Sequence, residues 1–328
     1  MLHSARSAAK RFVFAALGSR PVIEQKLRAI RSAGVITILN LHRVAPPDGS
    51  TYPPLSPQLF EYLLRFVRRH FEVVTFAELT EGRRNSQRPR LILSFDDGYA
   101  DFATYAAPLL EKYGIRANQN IIAECIESGL PPLSVALQDF VGKAPIDELG
   151  RLEVEGFEAS PARMPRQAYG NLLGAFIAQQ PASTQRRLAA QVLPQIRRLH
   201  GFTLTPMMSL EQVRQLSTRH EFGAHSFSHD SLGLESDDHV REDVSRCKQW
   251  FAANLDQPVK IYAFPNGSFR PSQIQIVRDS GIDCILLVEE DFSTPATPVH
   301  KRFNVYAHSR AEVRFRATGA FRQPKRLD

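Results

Sequence analysis

Short apolar runs alternate with amphipathic helical stretches along most of this chain, and that alternation leaves few architectures open to it. The runs fall at 35–41, 73–74, 91–93, 117–122, 221–224, 259–264, 284–288 and 299–305. Helical patterns lie between them, at 57–70, from 75, around 108–113, from 209, and at 237–253 and 271–279. Strand and helix in strict rotation imply a parallel sheet with right-handed crossovers. Rotation alone does not separate an open sheet from a barrel, but the polar residues do. His42, Asp96-Asp97, the His225/His229 pair and Asn266-Gly267 each follow the last apolar residue of a run. Parallel α/β folds build their sites at the carboxyl ends of strands, and one common rim favours a barrel.

The rhythm breaks from about 130 to 206, where paired prolines open a stretch of short polar helices. We read it as a helical insertion within a barrel spanning 35–305. The first 34 residues, a basic helical segment, carry seven Lys/Arg against one Glu, and the last 28 carry eight against two acids. The overall +7 therefore belongs to the two ends, and the stretch between them is net −5. That argues against a nucleic-acid groove across the body and leaves two basic ends, 1–34 and a tail at 306–328, that could touch anionic lipid or a polyanion. The N-terminal helices fit a membrane-surface role and packing on the outside of the barrel equally well. No apolar run approaches 18 residues, so no transmembrane helix is expected. Three widely spaced cysteines and a poor match to a secretory signal point to a reducing, cytoplasmic location, peripheral to the inner membrane face if the ends engage lipid.

The chemistry centres on Ser94-Phe95-Asp96-Asp97-Gly98-Tyr99. Two adjacent carboxylates at the mouth of a buried strand repel each other and are costly to desolvate. A metal ion relieves that cost by holding one ionised and leaving the other free as a base. Asp-Asp-Gly is also ordinary turn chemistry. Farther along, His225 and His229 are four apart and would share one face of a helical turn. With Asp97 they make a two-His, one-carboxylate set with open positions, suited to Zn²⁺, or to Co²⁺, Ni²⁺, Fe²⁺ or Mn²⁺ by availability.

Taken together these pieces resemble the polysaccharide deacetylase family, the NodB-like carbohydrate esterases. Ser94–Tyr99 is similar to that family's Thr-Phe-Asp-Asp-Gly-Tyr, Gly223-Ala224-His225-Ser226-Phe227-Ser228-His229 to its Gly-x-His-Ser/Thr-x-x-His, and Phe264-Pro265-Asn266-Gly267 to its later Tyr-Pro-x-Gly. Leu41-His42-Arg43-Val44 resembles the Tyr-His-Arg-Val opening of many members. The resemblance implies a distorted (β/α) barrel of about seven parallel strands and metal-dependent removal of acetyl groups from N-acetylated carbohydrate. By position it makes Asp97, His225 and His229 the metal ligands, Asp96 the general base, and the backbone N–H of Asn266 a donor to the oxyanion.

Two departures matter. The Arg that often precedes the family's Pro-containing motif is missing, and the late Leu-x-His that supplies a general acid has only a loose counterpart ending at His308. His42, His300 and His308 compete for the acid; His42 is preferred because it ends a strand on the rim. Arg302 could orient Asp96 or form a surface pair. An O-acetyl esterase or another non-peptide C–N amide hydrolase on the same site, a non-haem iron oxygenase with the same ligand types, and a non-catalytic glycan-binding protein are the alternative functions.

Overall fold

The computed structural model describes residues 13–80, 87–198 and 202–325. Nine strands form one sheet in which every paired neighbour is parallel: β1 (Ile36–Leu41), β2 (Glu72–Val73), β3 (Arg90–Phe95), β4 (Asn118–Ile121), β5 (Glu221–Ala224), β6 (Ile261–Ala263), β7 (Cys284–Leu287), β8 (Val299–Lys301) and β9 (Phe303–Asn304). Their order is β8-β7-β6-β5-β4-β3-β1-β9, with β2 paired to β3 off this path. The two strands at the ends of that order are consecutive in the chain and separated only by Arg302. One extended segment, 299–304, thus pairs with β7 through its first half and with β1 through its second, and so nearly closes the sheet into a barrel. Counted this way the barrel has seven staves, as the sequence reading expected.

The helices cover the outside. Ser56 caps the helix Pro57–His70, accepting from the Leu59 N–H, and Pro57 starts it without wasting a donor. Its Phe60, Leu63, Leu64 and Val67 are fully buried in the layer between helices and sheet, with Leu39, Leu41, Leu93 and Phe95 from the outward faces of β1 and β3. The alternate residues, Ile36, Ile38 and Ile92, point inward and pack with Ile261, Ala263, Cys284 and Leu286. The short helix Phe76–Thr80 plugs this apolar amino end with Phe76 and Leu79, and both oxygens of Glu221 accept its first N–H groups. Toward the carboxyl end the interior turns polar, with Asn40, Ser94, Asn118 and Asn120 all buried.

Chain-end segments pack on this barrel. Residues 1–12 lie outside the described residues, but the helix Arg20–Ala33 buries Ile23 and Ile30. The stretch read as a basic tail contains the helix Arg310–Ala317, whose Val313 and Phe315 are buried in the outer layer. Its arginines mask that short apolar pattern in sequence. The described residues from 133 to 197 are largely helical, and Leu137, Phe140, Tyr169, Leu173, Leu188 and Val192 form a hydrophobic cluster of their own. No helix among the described residues is long and apolar enough to cross a membrane.

Candidate metal centre

Strand register brings the predicted residues together. Asn40 pairs with Ser94 and Leu41 with Phe95, so His42 and Asp96 leave the barrel side by side. Ile121 pairs with Ala224, which places His225 on the same rim, and its N–H donates to the Ile121 carbonyl at 2.9 Å. The rim opens into a cavity of about 320 Å³ lined by His42, Asp96, Asp97, His225, His229 and Asn266, with Tyr52, Tyr99 and Tyr306 among the rest.

The two carboxylates have different surroundings. Asp96 is 1% exposed and fully engaged: Arg302 donates Nη1–H to its Oδ1 and Nη2–H to its Oδ2, both at 2.8 Å. Asn120 adds a third bond to Oδ1 at 2.8 Å. Burial pushes the Asp96 carboxyl up, but Arg302 above all, and His225, outweigh it and hold it well below the usual carboxylate range. Asp97 is equally buried, yet its Oδ1 has no hydrogen-bond partner. That atom lies 3.4 Å from Nε2 of His225 and 3.4 Å from Nε2 of His229. Burial raises Asp97 as well, and His229, His42 and His225 bring it down to about 2.

An orphaned buried carboxylate oxygen facing two imidazole nitrogens is costly as a purely protein arrangement. It fits a divalent cation: one donor atom from each of Asp97, His225 and His229 lies within 4.8 Å of the others. His225 supports the fit, because its Nδ1 bonds the Ala263 carbonyl at 2.9 Å, which leaves Nε2 as the lone-pair nitrogen facing the site. Burial lowers the His225 pKa to about 4, keeping the ring in the neutral form a metal requires.

One expectation is corrected. The His-x-x-x-His pair does not sit on a helical turn. Residues 225–229 form an irregular loop in which Ser226 (φ 54°) and His229 (φ 62°) are left-handed. The loop folds back because the Ser226 hydroxyl accepts the His229 N–H at 2.7 Å and buried Asp243 accepts the Phe227 N–H at 2.9 Å. Tyr262 in turn donates to Asp243 at 2.6 Å. Asp97 (φ 76°) and Asn266 (φ 57°) are also left-handed, so four of the six non-glycine residues with positive φ among the described residues line or brace this site. Strain held at that density marks a functional constellation.

The competing acids separate. His42 lines the cavity, stacked on Tyr306 with ring centroids 6.0 Å apart and edge-on to Tyr52 at 6.1 Å. His300 is buried at the opposite end of the barrel beside Phe76, and exposed His308 lies outside the cavity. Arg302 makes no surface pair; it is completely buried and grips Asp96. Asn266 lines the cavity and ties its side chain to the Ser231 hydroxyl at 2.9 Å.

Other contributors were missed in the sequence. Asn120 braces Asp96, and Ser94 accepts from both Asn120 and Arg302. Strand alternation within 117–122 could have flagged the inward amides. Arg43, buried, joins Asp101 and Asp48 at 2.9 Å each and holds the Tyr52 carbonyl. Ser134, Val135, Gln138, Gly174, Ala175 and Ala178 of the insertion form one wall of the cavity, which no local pattern announces.

Comparison with known proteins agrees with this geometry. A family model described as polysaccharide deacetylase matches residues 83–285. Among solved structures, IcaB from Ammonifex degensii superposes with a TM-score of 0.57 at 18% identity, covering 87% of this chain and 97% of its own. The Streptococcus pyogenes deacetylase PplD, solved with acetate, gives 0.54 at 15% identity over 83% of this chain and 92% of that one. A de-N-acetylase from Aggregatibacter actinomycetemcomitans gives 0.52 at 13%, covering 81% and 93%. At these identities the structures speak to the fold. No curated protein matches the chain in sequence.

Proposed function

We propose that this chain, which belongs to the polysaccharide deacetylase family of hydrolases acting on non-peptide carbon–nitrogen bonds, removes acetyl groups from N-acetylated sugars of a glycan or glycan precursor with a divalent metal, Zn²⁺ first, held by Asp97, His225 and His229. The observation that carries this reading is the orphaned Asp97 Oδ1, 3.4 Å from both imidazole nitrogens and next to a carboxylate that Arg302 has already claimed.

A bound cation at these ligands would acidify a coordinated water and polarise the acetamide carbonyl. Asp96 takes the proton of the attacking water. Its Oδ2 accepts one bond from Arg302 and lies 4.0 Å from His225 Nε2, so it faces the ligand cluster. The Arg302 clamp keeps Asp96 ionised before each turnover. The Asn266 backbone N–H supports the developing oxyanion. His42 returns a proton to the leaving amine as the C–N bond breaks, giving acetate and a free amino sugar. Tyr306 and Tyr52 fix the plane of its ring.

The test is acetate release from N-acetylglucosamine oligosaccharides after metal addition, with an O-acetylated sugar assayed in parallel. Asp97→Ala should abolish both release and metal retention. Wild-type turnover in that variant would overturn the ligand assignment.

A further inference from the structure

A concavity larger than the catalytic cavity lies away from the candidate metal centre, and five arginines line it: Arg20, Arg65, Arg69, Arg310 and Arg314. It encloses about 650 Å³ and shares no lining residue with the catalytic cavity. Three elements build it, the helices Arg20–Ala33, Pro57–His70 and Arg310–Ala317, so both basic ends of the chain converge on one flank. Among the lining residues Glu24 is the single carboxylate, and Arg20 already engages it at 2.7 Å.

The arrangement is not explained by fold stability. Among the described residues, Arg65 and Arg69 make no hydrogen bond or ion pair. Arg310 lies over the Tyr62 ring, 5.4 Å from the centroid, with no other partner among the described residues. Arg20 and Arg310 are the first residues of their helices, where the helix dipole disfavours a cation. Arg314 is tied down, donating to the Gly18 carbonyl and to the Tyr62 hydroxyl, and Arg20 is paired with Glu24. Like charges gathered in a concavity repel unless an anion joins them. Several unengaged planar forks match phosphate oxygens in pairs. The floor is apolar and aromatic, with Ile23, Tyr62 and Phe66, and would accept an aliphatic or planar group attached to the anion.

We propose that this concavity binds a phosphate or diphosphate ester through Arg65, Arg69 and Arg310, either on an anionic lipid headgroup or on a soluble molecule. The proposal stands independently of the metal centre.

The experiment uses the full chain. Inorganic pyrophosphate is titrated calorimetrically into wild type and into Arg65→Glu/Arg69→Glu, and sedimentation with phosphatidylglycerol and with phosphatidylcholine vesicles runs alongside. Saturable pyrophosphate binding that the double substitution weakens by about tenfold or more supports the site. Selective sedimentation with phosphatidylglycerol, lost in the same variant, assigns the lipid as the source. Pyrophosphate binding without sedimentation assigns a soluble one. Unchanged thermal midpoint and deacetylation show that the variant is folded, and Arg310→Gln repeats the readout should charge reversal disturb the helix. Absence of binding, or binding indifferent to these substitutions, overturns the proposal.

Discussion

Arg302 and Asp96 form a two-pronged ion pair, both contacts at 2.8 Å, with side chains 0% and 1% exposed. The same arginine sits at the seam of the barrel, between the half-strand that pairs with β7 and the half-strand that pairs with β1. Ring closure and the placement of the carboxylate proposed as the general base therefore depend on one side chain. Its Nη1 also donates to Asn40 Oδ1 at 2.9 Å and Ser94 Oγ at 3.2 Å, and its Nε donates to the Leu287 carbonyl at 3.3 Å, so it spans three staves.

Arg302→Lys tests that dependence. Lysine keeps the charge and loses the fork, so it cannot hold both Asp96 oxygens or reach Asn40 and Ser94 together. Urea unfolding should show a loss of about 3 kcal/mol, the scale for breaking a buried pair. Turnover should fall by roughly a hundredfold with little change in KM, because Asp96 is misplaced and substrate contacts are not. A folded variant with wild-type kcat would refute a positioning role.

Metal linkage gives a second test that does not depend on activity. Asp97 Oδ1 lacks a partner in the protein alone, so a cation that engages it stabilises the folded state selectively. Adding Zn²⁺ at about a hundred times its Kd should raise the unfolding free energy by about 2.7 kcal/mol, read as a higher thermal midpoint. Asp97→Asn should remove most of that shift and lower the metal-free midpoint somewhat, since the neighbouring histidines hold the Asp97 carboxyl below its usual range and the ionised form therefore favours the folded state. Equal shifts in both proteins would mean that the cation binds elsewhere.

The strand ends could be read from sequence because an abrupt change from apolar to polar residues is a local signal, and parallel strands put all such ends on one rim. His42, Asp96, Asp97 and His225 were found this way. The His-x-x-x-His spacing was visible but its conformation was not. Four residues reach one point either by a helical turn or by a loop with left-handed Ser226 and His229, and only tertiary anchors such as Asp243 choose the loop. Arg302 was ambiguous for a related reason. An arginine within an apolar run is equally compatible with an exposed edge and with a buried clamp, and its partner lies 206 residues away. The cavity wall supplied by the insertion depends on how helices pack, which composition does not encode.

Two histidines away from the candidate metal site contribute to the acid limb of stability. His220 and His300 are buried, and burial lowers each pKa to about 4. The His220 Nδ1 accepts the Ala117 N–H at 3.3 Å, a role lost on protonation. A base whose pKa is lower folded than unfolded binds more protons in the unfolded chain, so stability falls as pH drops from about 6.5 toward 4 and is flat above that window. Each contributes on the order of 3 kcal/mol at the low end. His300→Leu should flatten this dependence in urea titrations at pH 7 and 4.5. An unchanged slope would show that His300 does not take part.

The final prediction concerns the glycine two residues before the first ligand histidine. Gly223 does not adopt a left-handed φ, so conformational freedom is not why it is there. Space is the reason: a Cβ at 223 would lie 2.4 Å from Asn120 Oδ1 and 2.8 Å from Ile261 Cβ, inside the barrel. Ile261 is in a paired strand and cannot retreat, which leaves Asn120 to move. Asn120 donates to Asp96 Oδ1 at 2.8 Å, the oxygen that Arg302 Nη1 also holds, and accepts from Asn118 at 3.1 Å, so its displacement would loosen the carboxylate proposed as the base. Gly223→Ala should cost about 1–3 kcal/mol in unfolding free energy, the range for overpacking a filled interior. It should also reduce kcat while metal affinity holds, because the ligand atoms of Asp97, His225 and His229 are not themselves touched. Restoring space with Asn120→Ser in the same chain should recover part of the stability and none of the turnover, since serine relieves the clash but does not reach Asp96. Recovery of both would place the function of Gly223 in packing alone.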